Sequence, residues 1–258
     1  MSFNKTEGII LSKKNFRESD RIFLIYGKNE GKLEVLAKGT RKKTSKLAGS
    51  LEPYTLAEVM LAKGRGFDYV MAVKVIKKYS LFQDIFISSW FSLLVEIIEK
   101  HVKQKYKERE IFDLLINLLA SLDKEANRLR KISLILAAVF QLLKILGFAP
   151  ELYTCQACRA KLTPQENYFS AVSAGLLCSR CDEKERDAQA ISPATIKIMR
   201  FFLDNDWKKI PALKINKENL SAIIKVVTLY LPYILEDEFK SLKFIKKIET
   251  SQSSNFLL

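Results

Sequence analysis

The sequence predicts an α+β chain: a small five-stranded β-barrel, then a helical domain into which a four-cysteine metal-binding segment is inserted. Three observations predict it. Seven of the nine glycines fall before residue 67, among short runs rich in Ile, Val, Leu and Tyr, a texture of strands and tight turns. After residue 80, apolar residues recur at helical spacing. All four cysteines stand as Cys155-Gln-Ala-Cys158 and Cys178-Ser-Arg-Cys181, two Cys-x-x-Cys turns nineteen residues apart.

Five strands are expected over residues 6–11, 22–26, 32–37, 54–61 and 69–76, with turn-like segments at 15–20, 27–31, 39–53 and 63–66. Five short antiparallel strands in about 75 residues can close as a barrel, and the OB-fold is the five-stranded barrel most used to hold single strands. An SH3-like barrel is the competing architecture, which strand counting does not exclude. Lys63-Gly64-Arg65-Gly66 reads as a hairpin turn.

A first helix is expected over residues 88–102, burying Trp90, Leu94 and Ile98. His101, the lone histidine, lies near its end and suits a solvated or capping role, because no second histidine exists to share a metal. Ile111, Leu114, Leu115, Leu118, Leu119 and Leu122 mark a second helix; Leu129, Ile132, Leu136, Val139, Leu143 and Leu146 mark a third. Gly147 and Pro150 are placed to stop the third. Ser192-Pro193 opens a helix to about residue 203. Helical spacing returns over 217–231, with Pro232 as kink or break, and again over 233–244. The expected domains are 1–80 for the barrel and 81–249 for the helices, with the metal segment at 153–187 inside the second and a frayed tail at 250–258.

Two Cys-x-x-Cys turns supply a closed tetrahedral set of thiolates, so Zn²⁺ in a structural site is expected at Cys155, Cys158, Cys178 and Cys181. An Fe–S cluster accepts the same four ligands. A pair of disulfides is the bland alternative; it belongs to secreted domains, and the chain shows neither an apolar leader at Met-Ser-Phe-Asn-Lys nor an apolar run of about 18 residues. A soluble cytoplasmic protein is therefore expected, with no membrane partner.

The formal charge is +14, which favours a polyanion, either nucleic acid or an anionic membrane surface. Residues 1–80 carry 17 basic and 8 acidic side chains, so most of the excess sits in the barrel. Lys38, Arg41, Lys42, Lys43 and Lys46 form the densest run, without an acid among them; Lys13, Lys14, Arg17 and Arg21 form a second cluster, diluted by Glu18 and Asp20. A solvated loop is the plain alternative, but two runs in one basic barrel point to phosphates. Phe16 and Tyr26 are candidates to stack bases, against the commoner role of aromatics in a small core. One histidine, metal-committed cysteines and no phosphate-cradling Gly-x-x-x-x-Gly-Lys-Ser/Thr loop argue for a binding protein and not an enzyme.

With these residues placed, the chain resembles the bacterial recombination mediator family RecO. The resemblance runs through Glu7-Gly8-Ile9-Ile10-Leu11, Glu18-Ser19-Asp20-Arg21, Ala37-Lys38-Gly39-Thr40-Arg41 with Ser45 and Pro53, Leu146-Gly147-Phe148-Ala149-Pro150, both cysteine turns, and Phe169-Ser170 before Gly175. It implies an N-terminal OB-fold, a helical C-terminal domain with a structural zinc, and a non-enzymatic role at the nucleoid. That role is binding single- and double-stranded DNA, annealing complementary strands, and working with RecR to load RecA on strands covered by single-strand-binding protein. The sequence departs from the family pattern at Arg159, where glycine often follows the second cysteine, at Ala174-Gly175 in place of paired glycines, and at Gln141, where a basic residue is common.

The resemblance further implies that the helical domain receives the acidic tail of single-strand-binding protein. Such a site needs an apolar socket beside cations, and the third helix offers Arg128, Arg130 and Lys131 in its first turn with Leu142, Leu143 and Lys144 near its end. Cations at a helix N-terminus oppose the macrodipole, so a binding use would account for them; a solvated helix start with a core-facing stripe is the alternative. An RNA-binding adaptor and a zinc-stabilised scaffold are the competing functional readings.

Overall fold

The computed structural model describes residues 3–79, 84–163, 167–181 and 185–251. The chain divides into two compact units, Met1–Ile85 with Val95–Lys124 and Phe86–Leu94 with Glu125–Leu258.

In the first unit, β1 (Phe3–Phe16), β2 (Asp20–Gly27), β3 (Gly31–Ala37), β4 (Thr55–Ala62) and β5 (Asp68–Lys78) close a barrel in the order β1-β2-β3-β5-β4. Every pair is antiparallel except β3 with β5, which runs parallel through Val35↔Asp68 and Leu36↔Tyr69. The barrel is OB-like, which answers the choice that strand counting left open. Its interior follows the period of two: Phe23 and Ile25 on β2, Leu33, Val35 and Ala37 on β3, and Ala57, Val59 and Leu61 on β4 all point into one core. β1 runs past its expected end because a bulge between Ile10 and Ser12 bends it. Its first half thus pairs with β4 and its second half with β2.

The outer face of this barrel is partly covered as well, which breaks the alternation. Tyr26 is fully buried, and its hydroxyl donates to the carbonyl of Glu108 at 3.0 Å. It is a structural residue, unable to stack a base. Gly31 stands at φ +70°, and a Cβ there would lie 1.9 Å from the Tyr106 carbonyl oxygen, so only glycine fits. Lys32 donates to the carbonyl of Glu99 at 2.5 Å. These contacts place residues 95–124 with the barrel, beyond the boundary expected near residue 80. α2 (Arg109–Lys124) buries Ile111, Leu114, Leu115, Leu118, Leu119 and Leu122, the expected stripe.

α1 (Ile85–His101) contributes Phe86–Leu94 to the second unit and its remainder to the first. Trp90, Leu94 and Ile98 are buried, and His101 is half-buried in its last turn. α3 (Arg128–Ile145) starts at Asn127, whose side chain accepts from the Arg130 N–H at 3.1 Å. Every residue from Ile132 to Phe140 is buried, so the middle of α3 is buried all round and is not the one-sided helix its periodicity suggested. Gly147 at φ +80° ends the turn that closes it.

A three-stranded sheet ordered β7-β6-β8 follows, from β6 (Asn167–Ser170), β7 (Gly175–Cys178) and β8 (Gln189–Ile191). α4 (Pro193–Asp204) is capped by Ser192, which accepts from the Thr195 N–H at 3.1 Å. A 3₁₀ turn (Trp207–Ala212) leads to α5 (Lys217–Ile234) and α6 (Lys240–Ser251). Pro232, expected as kink or break, does not break α5. The Leu235 N–H still reaches the Leu231 carbonyl at 3.1 Å, so the helix completes its last turn, and the chain reverses at Glu236, φ 49°. The following helix begins at Lys240 and not at 233. Of the expected tail, residues from 252 onward lie outside the described residues. Among the described residues no helix is long and apolar enough to cross a membrane.

Candidate metal centre and nucleic-acid interface

The β6–β7 hairpin carries Cys178 at its end, and the loop before β6 carries Cys155 and Cys158. The loop is folded onto the hairpin by backbone pairing: Gln156 N–H to Leu176 O at 2.9 Å and Leu176 N–H to Glu151 O at 3.0 Å. Gly175 permits this approach, since a Cβ there would lie 2.4 Å from the Glu151 carbonyl oxygen. Asp187 ties the far end, accepting from Ser170 Oγ at 2.8 Å and from the N–H groups of Ala171 at 2.7 Å and Val172 at 3.1 Å.

The result is four sulfurs within 4.8 Å of one another, from Cys155, Cys158, Cys178 and Cys181. They lie close enough to hold a metal ion. The Cys158–Cys178 separation is 3.8 Å, matching the edge of about 3.8 Å that a tetrahedron with roughly 2.3 Å metal–sulfur bonds requires. A disulfide needs about 2.05 Å, and all four cysteines are free, so the disulfide alternative falls. Burial pushes the Cys155 thiol up, but the N–H groups of Cys158, Cys178 and Ala157 outweigh it and bring the group down to about 6. Burial, then the neighbouring thiols of Cys178, Cys158 and Cys155, push Cys181 up to about 12. One thiolate forms readily and the next is opposed by it, a conflict that a bound cation removes.

Arg159 stands at φ +62° and Ala174 at φ +52°. These are the two positions at which the resemblance leads one to expect glycine, and both hold the left-handed conformation that glycine adopts at least cost. The Arg159 N–H reaches the Cys155 carbonyl at 2.8 Å, so the knuckle turn forms despite the side chain.

In the barrel, two basic clusters far apart in sequence meet at one end. The turn after β1 and the turn after β3 are bonded to each other: Gly39 N–H to the Asp20 carboxylate at 2.8 Å, Arg41 N–H to Ser19 O at 2.9 Å, the Arg41 guanidinium to Arg17 O at 3.0 Å, and that of Arg21 to Thr40 O at 3.3 Å. Lys38 lies over the Tyr69 ring at 4.8 Å. Arg17, Lys38 and Arg41 are exposed and Arg21 half-exposed on that end, with Lys42, Lys43 and Lys46 exposed farther along the same loop. Phe16 packs edge-on against Phe67, centroids 6.0 Å apart, and Arg17 covers its ring at 5.2 Å, so Phe16 serves to join loops. That contact brings the β4–β5 hairpin turn to the same end, adding the exposed Lys63 and Arg65, which are not among the expected phosphate contacts. Their signal was present in the Lys-Gly-Arg-Gly alternation.

Two candidate cations are engaged elsewhere. Lys13 pairs with Glu52 and Lys14 with Glu99, so neither stands as an open phosphate contact.

The α3 candidates do not form one site. Leu142 and Leu143 are fully buried core. Arg130 pairs with Glu125 at 3.1 Å and donates to Pro211 O at 2.8 Å, while Lys144 donates to Leu203 O at 2.7 Å. Gln141 donates to Phe202 O and Asn205 O at 3.2 and 3.0 Å, so it and Lys144 satisfy the final carbonyls of α4. Arg128 and Lys131 lie about 24 and about 20 Å along the helix from Lys144, at about 1.5 Å per residue.

Comparison with known families and proteins agrees across both units. Residues 1–79 match the family described as Recombination protein O N terminal, and residues 82–243 match Recombination protein O C terminal. Among similar proteins, one from Dehalococcoides mccartyi (strain 195) is 31% identical over 247 residues, 95% of each chain. One from Thermoanaerobacter sp. (strain X514) is 28% identical over 252 residues, 96% of this chain and 99% of that one. One from Roseiflexus sp. (strain RS-1) is 31% identical over 246 residues, 95% of this chain and 85% of that one. Each of the three carries the name DNA repair protein RecO.

Proposed function

Since the chain belongs to the recombination protein O family, RecO, we propose that it is a DNA repair protein that works by holding and pairing strands and not by catalysing a reaction. The observation that supports this most is the bonded union of the Arg17–Arg21 turn with the Lys38–Arg41 turn at one end of the OB-like barrel. Fixed, exposed guanidinium and ammonium groups there suit a phosphate track and read no base edge, so binding is weakly sequence-specific. Single- and double-stranded DNA both present such a track.

Annealing follows from the same charge: neutralising two backbones lowers their repulsion, and base pairing supplies the rest without nucleotide hydrolysis. In this reading residues 1–80 hold DNA, and residues 81–249 meet protein partners: RecR, and the tail of single-strand-binding protein whose coat must yield to RecA. The site of action is the cytoplasm, at the nucleoid. Zn²⁺ held by Cys155, Cys158, Cys178 and Cys181 is structural, because four protein ligands fill its tetrahedron and leave no open position for a reacting water. When bound, it supplies only charge and geometry.

Filter binding of single-stranded DNA, RNA and anionic vesicles at one salt concentration tests the reading. Retention of DNA with no uptake by vesicles is expected. Preference for RNA over DNA would favour the adaptor alternative, and strong vesicle binding would overturn the nucleic-acid assignment.

A further inference from the structure

Phe16 and Tyr26 are engaged in the fold, so an aromatic surface for unpaired bases has to lie elsewhere on the barrel. On β4 the interior residues are Ala57, Val59 and Leu61, so Glu58, Met60 and Ala62 face outward. Register carries that outer face across three strands: Phe3, Ala62 and Tyr69 form one row, and Lys5, Met60 and Ala72 the next. The β4–β5 register shifts between Met60 and Leu61, which pair with Ala72 and Val70, so Met71 is the extra residue of a bulge beside Met60. Phe3 is 57% exposed, Met71 51% and Met60 39%. Apolar side chains at neighbouring places on one sheet face, all open to water, mark a contact surface.

Two features indicate what this face suits. It is continuous with the basic end of the barrel: Tyr69, in the row of Phe3, has Lys38 over its ring at 4.8 Å, and the exposed Lys63 directly follows Ala62. A nucleotide whose phosphate meets Lys38 or Lys63 therefore brings its base within reach of Phe3 and Tyr69. The acids of the face are also matched. Glu58 pairs with Lys5 at 2.8 Å and Glu7 with Lys28 at 3.6 Å, so neither is left to repel a polyanion. Two inter-strand spacings by two residues along a strand make the apolar patch roughly 10 by 7 Å, space for about one or two bases.

We propose that unpaired bases of a single strand lie on the outer β1–β4–β5 face, against Phe3, Met60, Tyr69 and Met71, while the phosphates of that strand follow the basic end. This rests on the DNA-holding reading above and adds to it a means of telling a single strand from a duplex. Ring and thioether surfaces accept any base by its flat side, so the contact brings no sequence preference. In a duplex the flat sides are already stacked on one another and stay out of reach.

The test uses the full chain and fluorescence anisotropy with labelled probes: a mixed-sequence single strand, the same backbone with abasic sites through its middle, and a blunt duplex. The wild type binds the natural strand about tenfold more tightly than the abasic one. Phe3→Ala removes most of that difference, and Met71→Ser removes part of it. In both variants duplex binding stays within about twofold, and the salt slope for the single strand is unchanged, because stacking releases no counterions. Phe3→Trp keeps the affinity, and the added indole fluorescence is quenched by the natural strand and not by the abasic one. Both positions are exposed, and circular dichroism with retained duplex binding verifies that the variants fold. If the wild type binds none of the probes, the DNA-holding reading itself fails. If it binds natural and abasic strands equally, or if Phe3→Ala weakens duplex as much as single strand, that reading stands and the base platform is overturned. If Phe3→Ala and Met71→Ser leave every affinity unchanged, the face serves a protein partner and the assignment is likewise overturned.

Discussion

The backbone N–H of Gly39 donates to the carboxylate of Asp20 at 2.8 Å, and by that bond an acid arranges the basic end of the barrel. Gly39 sits at φ +67°, so the β3–β4 turn can aim its N–H at the turn after β1. The same N–H is the largest influence on Asp20; burial opposes it, and Ser19, Arg17 and Lys38 add to it, leaving the carboxyl below its ordinary range.

Asp20→Ala is expected to weaken binding of single-stranded DNA several-fold, although it removes a negative charge. Charge alone predicts the opposite sign, so tighter binding by the variant would show that Asp20 only dilutes the cluster. Asp20→Asn keeps an acceptor oxygen and should retain most of the affinity. Because the folded pKa is depressed, the contribution to stability is fully present above the unfolded value of about 3.9 and is lost as pH falls through the lower folded value. Between pH 5 and 8 this contact should therefore add no pH dependence to stability, as denaturant midpoints would record.

The cysteine cluster should carry one zinc per chain and contribute to folding of the helical unit. Cys178→Ser leaves an incomplete tetrahedron over buried sulfur and is expected to cost at least about 3 kcal/mol, or roughly 6 to 12 °C in Tm for a chain of this size. Elemental analysis and calorimetry check this together; freshly prepared protein with no metal and full stability would end the zinc assignment.

Arg159→Gly and Ala174→Gly are expected to stabilise the folded chain by about 0.5 to 1 kcal/mol each. A left-handed conformation costs an L-residue about 1 to 2 kcal/mol, and the added freedom of glycine in the unfolded chain returns about 0.5 to 1 of that. Denaturant midpoints measure both. Destabilisation by Arg159→Gly would mean that its side-chain bond to Gln156, 3.0 Å, outweighs the backbone cost.

Features written in local pattern were readable from the sequence. The alternation of Ala57, Val59 and Leu61 gave a strand and its inward face, Ser192-Pro193 gave a helix start, and the cysteine spacing gave the cluster of four sulfurs. What depended on distant partners was not readable. Lys13 and Lys14 looked like phosphate contacts because Glu52 and Glu99, 39 and 85 residues away, do not announce themselves as their partners. Leu142 and Leu143 looked like a socket because periodicity marks an apolar face without showing what covers it, and both are core. Lys63 and Arg65 were passed over because only the Phe16–Phe67 contact shows which end of the barrel their turn joins.

The salt dependence of binding to single-stranded DNA tests the central claim most directly. If four to six cations at the barrel end contact phosphates, the slope of log affinity against log salt is about −3 to −4, alike for unrelated sequences. Neutralising Arg41, Lys42 and Lys43 together should weaken binding to all sequences equally and flatten the slope by about 2. A slope near zero, a strong preference for one sequence, or an unchanged slope in the triple variant would contradict the account.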